Sequence, residues 1–290
     1  MPIVEGARTT HTTLECRRVA DSLRFYRDVM GLRVNQPAPM VGHLMDCKGH
    51  YAAALQNADA QPQPFLNFYA RPVRDAAAVD EAHARVSAVR EAYGMRTITA
   101  PAREDAAKFG VGTYGFYVED LDGNWWRVEE NAGPFGAVEL PADARPRDSI
   151  VPAGPISYVM LESRALAASV RFYRDFLGLD VAEPAPHYCL ARDAAGWVRV
   201  IAVDVGDRLV PQKVANHHGL TLAGGPEQID ALRAKVSACA AEFALMKVLP
   251  ATRQHGSYSF YLQDADTNCW ELEIWENAVN PVLRGIEARE

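Results

Sequence analysis

The sequence lacks both a dense run of basic residues and a long apolar stretch. Among its 290 residues, 37 acidic side chains outnumber 30 basic ones, which gives a formal net charge of −7. A nucleic-acid partner would require a cationic face for its phosphates, and a membrane-spanning helix would require about 20 consecutive apolar residues. We therefore expect no nucleic acid and no membrane among the partners. MPIVEGARTT, the first ten residues, also lacks the features of a secretory signal, which predicts a cytoplasmic protein.

Cysteine is scarce, and no CxxC pair is present. An odd number of scattered cysteines favours reduced thiols over a disulfide framework. The apolar content of 49% and the charged content of 23% are ordinary for a globular protein with a full core, and the length suits about two domains. The cysteines are Cys16, Cys47, Cys189, Cys239 and Cys269.

The most informative feature present is an internal repeat. HTTLECRRVADSLRFYRDVMGLRV (11–34) aligns without a gap with YVMLESRALAASVRFYRDFLGLDV (158–181). Each copy predicts a strand, a helix, a glycine that ends the helix, and a second strand. The apolar helix positions recur at spacings of three and four; they are Leu23, Tyr26 and Met30 in one copy and Val170, Tyr173 and Leu177 in the other.

A second repeated motif is an aromatic hairpin with an acidic turn. FYVEDLDGNWWRVEEN (116–131) matches FYLQDADTNCWELEIWEN (260–277) almost position for position. One difference stands out, because Arg127 follows Tyr117 by ten residues whereas Glu271 follows Tyr261 by ten. A carboxylate in one copy and a guanidinium in the other indicate that the two copies hold different charges.

The sequence predicts that each half of the chain divides again, since a strand followed by a helix also begins at 65–95 and at 217–245. The sequence therefore predicts an α+β fold of four βαβββ modules. We predict an N-terminal domain at 1–135 with modules one and two, and a C-terminal domain at 154–290 with modules three and four. The segment between them, 136–153, is rich in proline and glycine and predicts a linker.

The FYRD-(VM/FL)-GL helices and the FYxxDxDxN hairpins resemble those of the vicinal oxygen chelate superfamily of glyoxalases, bleomycin-resistance proteins and extradiol dioxygenases. The resemblance covers essentially the whole chain. It implies that paired modules curl their strands into cups, with a divalent metal on the cup floor. Four modules in one chain are similar to the two-domain extradiol dioxygenases, and in particular to those that cleave hydroquinones.

The superfamily takes a metal-ligating histidine from the first strand of a module. That position lies fourteen residues before the phenylalanine of FYRD, which gives His11 in module one and Tyr158 in module three. Module two, aligned on FLNFYA, offers Phe65. Module four offers His217 or His218.

Strand alternation favours His217 over His218. If His217 faces the cup, Gly219 and Thr221 face it too, whereas the other phase would turn Leu220 and Leu222 into a polar cup. A β-bulge would reverse the choice, so both histidines stay open.

The superfamily takes its glutamate ligand from the last strand, where the hairpins supply Arg127 and Glu271. The resemblance thus implies a metal site of His11, His217 and Glu271, the triad of non-heme Fe(II) oxygenases. Mn(II) is the alternative, because the ligand types do not separate the two metals. The triad requires modules one and four to pair, within one chain or by exchange between two chains. Pairing of modules three and four would leave a weaker site with Tyr158.

The same resemblance implies catalytic roles for Tyr261 and His255, and His218 is a third catalytic candidate because it neighbours His217. Tyr261 corresponds to a tyrosine beside the substrate hydroxyl, His255 to an acid–base histidine, and His218 supports the site from a neighbouring position. An imidazole suits proton transfer because its pKa lies near neutral pH.

The predicted function is a metal-dependent extradiol-type dioxygenase that inserts O₂ into the ring of a catechol or hydroquinone. Its partners would be a small aromatic substrate and O₂, and family habit favours a homo-oligomer such as a dimer. Two alternatives remain: a glyoxalase-like, metal-dependent isomerase or lyase, and a metal-free small-molecule binding protein of the resistance type.

Overall fold

The structure is a computed structural model that describes residues 2–4, 8–142, 149–193, 199–213, 215–254 and 256–275. These residues form α-helices at Val19–Asp28 (α1), Ala76–Ala88 (α2), Ala106–Phe109 (α3), Leu166–Arg171 (α4) and Pro226–Cys239 (α5). They form strands at Arg8–Cys16 (β1), Arg33–Ala38 (β2), Val41–Met45 (β3), Tyr51–Gln56 (β4), Phe68–Val73 (β5), Thr97–Ile98 (β6), Ala102–Arg103 (β7), Tyr114–Glu119 (β8), Trp125–Glu130 (β9), Val159–Ser163 (β10), Asp180–Ala185 (β11), Tyr188–Arg192 (β12), Arg199–Asp204 (β13), His217–Thr221 (β14), Lys247–Val248 (β15), Thr252–Gln254 (β16), Ser257–Gln263 (β17) and Cys269–Trp275 (β18). Within these ranges, no helix has the length and apolar character needed to cross a membrane.

The order of the elements confirms the predicted α+β fold of four similar modules. The described strands form two sheets of nine strands each. Modules one and three follow the strand-helix-strand-strand-strand order directly. In modules two and four the strand after the helix is broken into two short pieces, β6 with β7 and β15 with β16.

Contacts between residues divide the chain into two compact units. One unit comprises Met1–Thr13 and Glu162–Glu290, and the other comprises Leu14–Leu161. The domain boundaries expected from the sequence stay a prediction. The described part of the expected linker contains no helix or strand.

In the first unit, the strands that concern the site lie in the order β15-β17-β18-β14-β1, and β16 also pairs with β17. Strands β14 and β18 are parallel, whereas β1 runs antiparallel to β14. In the second unit, the corresponding order is β6-β8-β9-β5-β10, again with one parallel pair, β5 and β9. The two arrangements are counterparts, strand by strand.

Strand register establishes which modules meet. His11 of β1 lies opposite Gly219 of β14, so the first strand of module one pairs with that of module four. Met160 of β10 lies opposite Phe68 of β5, so modules three and two pair in the same way. Both pairings occur within one chain.

The repeated helix packs as its spacing predicts. All six apolar positions expected to face inward, three in each copy, are buried. The two copies differ after Arg171, where the hydrogen bonds of the second helix widen into a π-helical turn over Phe172–Phe176. A glycine ends each segment with a positive φ, +65° at Gly31 and +71° at Gly178, a conformation that suits a residue without a Cβ atom.

The acidic turns of the hairpins are closed by their own first aspartate. Oδ1 of Asp264 accepts hydrogen bonds from the backbone N–H groups of Asp266 and Asn268, both at 2.9 Å. The indole N–H of Trp270 donates to Oδ2 of Asp264 at 3.0 Å. The Trp270 ring also packs on Phe172 and Tyr173 of the repeated helix segment, with centroid separations of 5.7 and 6.0 Å. Because Trp270 faces the helix layer, its neighbour Glu271 must face the opposite side of the sheet.

Candidate metal centre

Three neighbouring strands of the first unit each deliver one polar side chain to the same face of the sheet. His11 comes from β1, His217 from β14 and Glu271 from β18. Gly219 is the register partner of His11 on one side and of Glu271 on the other. The pairing of β1 with β14 therefore brings together residues that are 260 positions apart in the chain.

The three donor atoms form a small, nearly equilateral triangle. His11 Nε2 lies 3.3 Å from His217 Nε2 and 3.0 Å from Glu271 Oε2. His217 Nε2 lies 3.2 Å from the same carboxylate oxygen. His11, His217 and Glu271 are only 6%, 7% and 3% exposed, so water does not screen the electrostatic interactions among the three donor atoms.

Gly219 makes room for the His11 ring. A Cβ atom at this position would lie well inside van der Waals contact with three atoms of that ring. A glycine is therefore required because the His11 ring approaches the backbone closely. The φ angle of Gly219 is not positive and would not by itself require glycine.

The electrostatics of the triangle favour a positive charge. Burial by itself would lower the pKa of His11, but hydrogen bonds to Glu271 and Glu273 outweigh burial and raise that pKa to about 10. Burial would likewise raise the pKa of Glu271, but its hydrogen bonds with His11 and His217 keep that pKa well below the ordinary value. Both shifts stabilise a cationic centre beside an ionised carboxylate.

The outer ring nitrogen of His11 also has a carboxylate partner. Its Nδ1 lies 3.3 Å from Oε1 of Glu273, which is almost fully buried. The Thr221 hydroxyl donates to the same Oε1 at 2.8 Å. Glu273 therefore contacts the side of the imidazole that faces away from the triangle.

Side chains of β16 and β17 surround Oε1, the second carboxylate oxygen of Glu271. Gln254 Nε2 donates to Glu271 Oε1 at 3.3 Å, and the same amide makes a short hydrogen bond to the Tyr261 hydroxyl. Tyr261 is the register partner of Glu271, and its ring packs edge-on against His217 with a centroid separation of 4.9 Å. Thr13 adds a hydroxyl 3.0 Å from His217 Nε2.

The structure does not bring His218 to the triangle. Its ring packs on Trp270 at 5.3 Å, on the opposite face of β14 from His217, as strand alternation requires. Burial lowers its pKa to about 3, so the ring is neutral at physiological pH. The geometry thus distinguishes the two histidines in favour of His217.

Two other candidates from the sequence remain, His255 and Phe65. His255 lies outside the described residues. Phe65 is 41% exposed and belongs to a turn before β5, so its assignment to the first-strand position was wrong. The counterpart of His217 is Phe68, because Phe68 pairs with Trp125 as His217 pairs with Cys269. The FLNFYA alignment began the strand three residues too early.

The counterpart of the triangle in the second unit holds its own cation. Arg127 donates from Nε to Oε2 of Glu129 at 2.9 Å, and its guanidinium lies 4.7 Å from the centre of the Tyr117 ring. Tyr158, at the position of His11, donates to the same Glu129 oxygen at 3.0 Å. A fixed guanidinium therefore occupies the position equivalent to Glu271 in the other unit.

Sequence reasoning missed Glu273 and Gln254 as parts of the site. Glu273 has a usable signal, since residues two apart on a strand share a face and Glu271 was already a candidate. Gln254 has none, because its approach to Glu271 depends on the β16–β17 register. Arg253, its neighbour, points the other way, with its guanidinium 4.9 Å from the centre of the Tyr258 ring.

The donor set fits a divalent metal ion. Two ligand atoms about 2.1 Å from a metal and at right angles to each other are about 3 Å apart, which matches the edges of the triangle. Two imidazoles and one carboxylate on one face leave the other coordination positions open, the pattern of non-heme Fe(II) sites. The first unit thus has an α+β fold with a three-donor site of the type that binds a divalent cation.

Residues 8–138 match the sequence model of the Glyoxalase/Bleomycin resistance protein/Dioxygenase superfamily. This part of the chain is similar to the superfamily, as the resemblance to vicinal oxygen chelate proteins predicted. Superfamily members typically bind a divalent metal. No curated protein sequence matches the chain.

Solved structures from two organisms share the fold along nearly the whole chain. Glyoxalase I of Zea mays superposes with a TM-score of 0.62 at 13% identity, covering 98% of this chain and 96% of that one. A candidate dioxygenase of Bacillus subtilis superposes with a TM-score of 0.59 at 15% identity, covering 93% and 86% respectively. At such identities the likeness shows the fold alone.

Substitution of Gly219 by alanine tests the close packing of the His11 ring against the backbone of β14. The added methyl group must displace the His11 ring, so we expect the affinity for Mn²⁺ to fall at least about tenfold. The free energy of unfolding should fall by about 1–3 kcal/mol. Mn²⁺ binding is measured from the EPR signal of the free ion. Gly154→Ala is the matched control, because its Cβ would meet its nearest neighbour at an ordinary 3.4 Å. Wild-type Mn²⁺ affinity in Gly219→Ala would contradict the placement of His11.

Proposed function

We propose that the protein is a metal-dependent ring-cleaving dioxygenase of the extradiol type, acting on a catechol or hydroquinone. The observation that carries this proposal is the triangle of His11, His217 and Glu271, with edges of 3.0 to 3.3 Å. Fe(II) is the proposed metal and Mn(II) the alternative. When bound, such an ion supplies the redox chemistry of ring cleavage. A ring carbon–carbon bond next to a hydroxylated carbon breaks, and both atoms of O₂ are incorporated into the product.

Tyr261 is proposed to orient the substrate. Burial, and then the negative charge of Glu271, raise the pKa of Tyr261 far above its ordinary value, so the phenol keeps its proton at neutral pH. Gln254 donates to the phenol oxygen, which fixes the direction of that hydroxyl. The phenol proton is directed to Glu271 in this structure. In the proposal Tyr261 turns this proton toward an oxygen of the bound substrate, and it acts as a hydrogen-bond donor and not as a base.

His255 is proposed as the acid–base group. It follows Gln254 directly in the sequence, and an imidazole can take a proton from a substrate hydroxyl and return it later in the reaction. His218 is not included in the proposal, because it lies on the other face of its strand.

A glyoxalase-type isomerase is the second candidate, since Glu273 is another carboxylate at the triangle and such an enzyme uses a glutamate as base. However, Glu273 Oε1 already contacts His11 Nδ1 and accepts from Thr221, which ties the carboxylate to a supporting role. A metal-free binding protein is favoured least. Binding of an organic molecule alone would not require two imidazoles and a carboxylate to converge with edges of 3.0 to 3.3 Å.

Metal analysis of paired variants separates the enzymes from the binding protein. We expect a single divalent ion per wild-type chain and severe loss of that ion in His11→Ala, because one of three ligands is removed. Tyr158→Ala is the matched control, since Tyr158 occupies the same strand position in the other unit and contacts Glu129. Full metal occupancy in His11→Ala would refute the joint role of the first and last modules.

Oxygen uptake by anaerobically iron-loaded protein tests the reaction. We expect uptake with at least one catechol or hydroquinone, and a fall in kcat of about 100-fold in Tyr261→Phe with the metal retained, because an oriented donor is lost. Tyr117→Phe, the equivalent change in the second unit, should leave kcat unchanged. Isomerisation of a hemithioacetal without any oxygen uptake would instead establish the glyoxalase-type candidate.

A further inference from the structure

Glu273 is the feature of the first unit that the metal triangle itself leaves unexplained. It lies two residues beyond Glu271 on β18 and is 1% exposed. A buried carboxylate is costly unless charged or hydrogen-bonding partners compensate it. Here the partners are His11 Nδ1 at 3.3 Å and the Thr221 hydroxyl at 2.8 Å, while the Trp275 indole donates to Thr221 at 3.3 Å.

The two nitrogens of His11 have different tasks. Nε2 faces His217 and Glu271, and it can present a lone pair there only if the ring proton is on Nδ1. Glu273 stands where it accepts that Nδ1 proton. A histidine that ligates a metal commonly donates its other N–H to a carboxylate, which fixes the tautomer and makes the ligand more basic.

The formal charges of the two units support this assignment. In the first unit Glu271 and Glu273 contribute two negative charges. Once a metal replaces the proton on His11 Nε2, both imidazoles are neutral ligands, and the two negative charges match one divalent cation. In the second unit the counterpart of Glu273 is Glu129, which pairs with the positive charge of Arg127. The same strand position thus holds a carboxylate in both units. In the second unit this carboxylate pairs with the cation Arg127, and in the first unit it lies beside the proposed metal ligand His11.

We propose that Glu273 is the positioning residue of the metal centre: it holds His11 in the Nδ1-protonated form and adds the second negative charge that suits a divalent ion. This inference rests on the proposed metal site. It is independent of the identity of the organic substrate, and Glu273 itself does not touch the reacting atoms.

The test compares Mn²⁺ dissociation constants and thermal midpoints for wild type, Glu273→Gln, Glu273→Leu and Glu129→Gln. Glutamine keeps an acceptor for Nδ1–H but removes the charge, so we expect Mn²⁺ binding to weaken about 10- to 100-fold. Leucine removes both and should weaken binding further. Glu129→Gln is the matched control, because it alters an equivalent buried carboxylate that faces Arg127, and it should lower the thermal midpoint without changing Mn²⁺ affinity.

Each outcome decides the inference. Graded weakening from glutamine to leucine, with Glu129→Gln unchanged, supports it. Wild-type affinity in folded Glu273→Gln overturns it, and so does an equal loss of affinity in Glu129→Gln, which would indicate a general effect on the fold. Absence of Mn²⁺, Fe²⁺ and Zn²⁺ binding by wild-type protein would instead defeat the metal site, and with it the proposed function.

Discussion

The pairing of β1 with β14 is the contact on which the site depends. It sets His11 beside Gly219, and the parallel pairing of β14 with β18 then places Glu271 on the other side of the same glycine. Neither imidazole nor carboxylate is unusual alone. Buried together with donor atoms about 3 Å apart, they form a centre that stabilises positive charge, either as a proton on His11 or as a metal ion.

The second unit has the same strand arrangement without the three candidate metal ligands. Its strands repeat the arrangement, with the same acidic turn, the same parallel pair and a carboxylate at the position equivalent to Glu273. The positions of the ligands hold Tyr158, Phe68 and Arg127 instead. Under the proposed metal site, the cation of one unit is the covalently attached guanidinium of Arg127, whereas the unit that carries Glu271 would take its cation from solution.

Much of the fold could be predicted because the two halves of the chain are similar in sequence and can be aligned with each other. The gapless FYRD repeat fixed the module order and the inward-facing helix positions, and the hairpin repeat paired Glu271 with Arg127. Alternation on a five-residue strand was sufficient to prefer His217 to His218, because no bulge interrupts β14 against β18.

The rest of the site could not be predicted for equally physical reasons. Phe65 was misplaced because the residues before β5 form a turn that module four does not share in sequence. The contacts of Gln254 and the Nδ1 side of His11 depend on register across strands, which no spacing along one chain reveals. The position of Glu273 on the same strand face as Glu271 was visible in the sequence, but its contact with His11 Nδ1 depends on the register of β1 against β14.

Anomalous diffraction from crystals loaded with Mn²⁺ would test the central claim most directly. A single peak per chain, bounded by Nε2 of His11, Nε2 of His217 and a carboxylate oxygen of Glu271, is the predicted result. A strongest peak located anywhere else, or coordination by ligands from only one end of the chain, would contradict it.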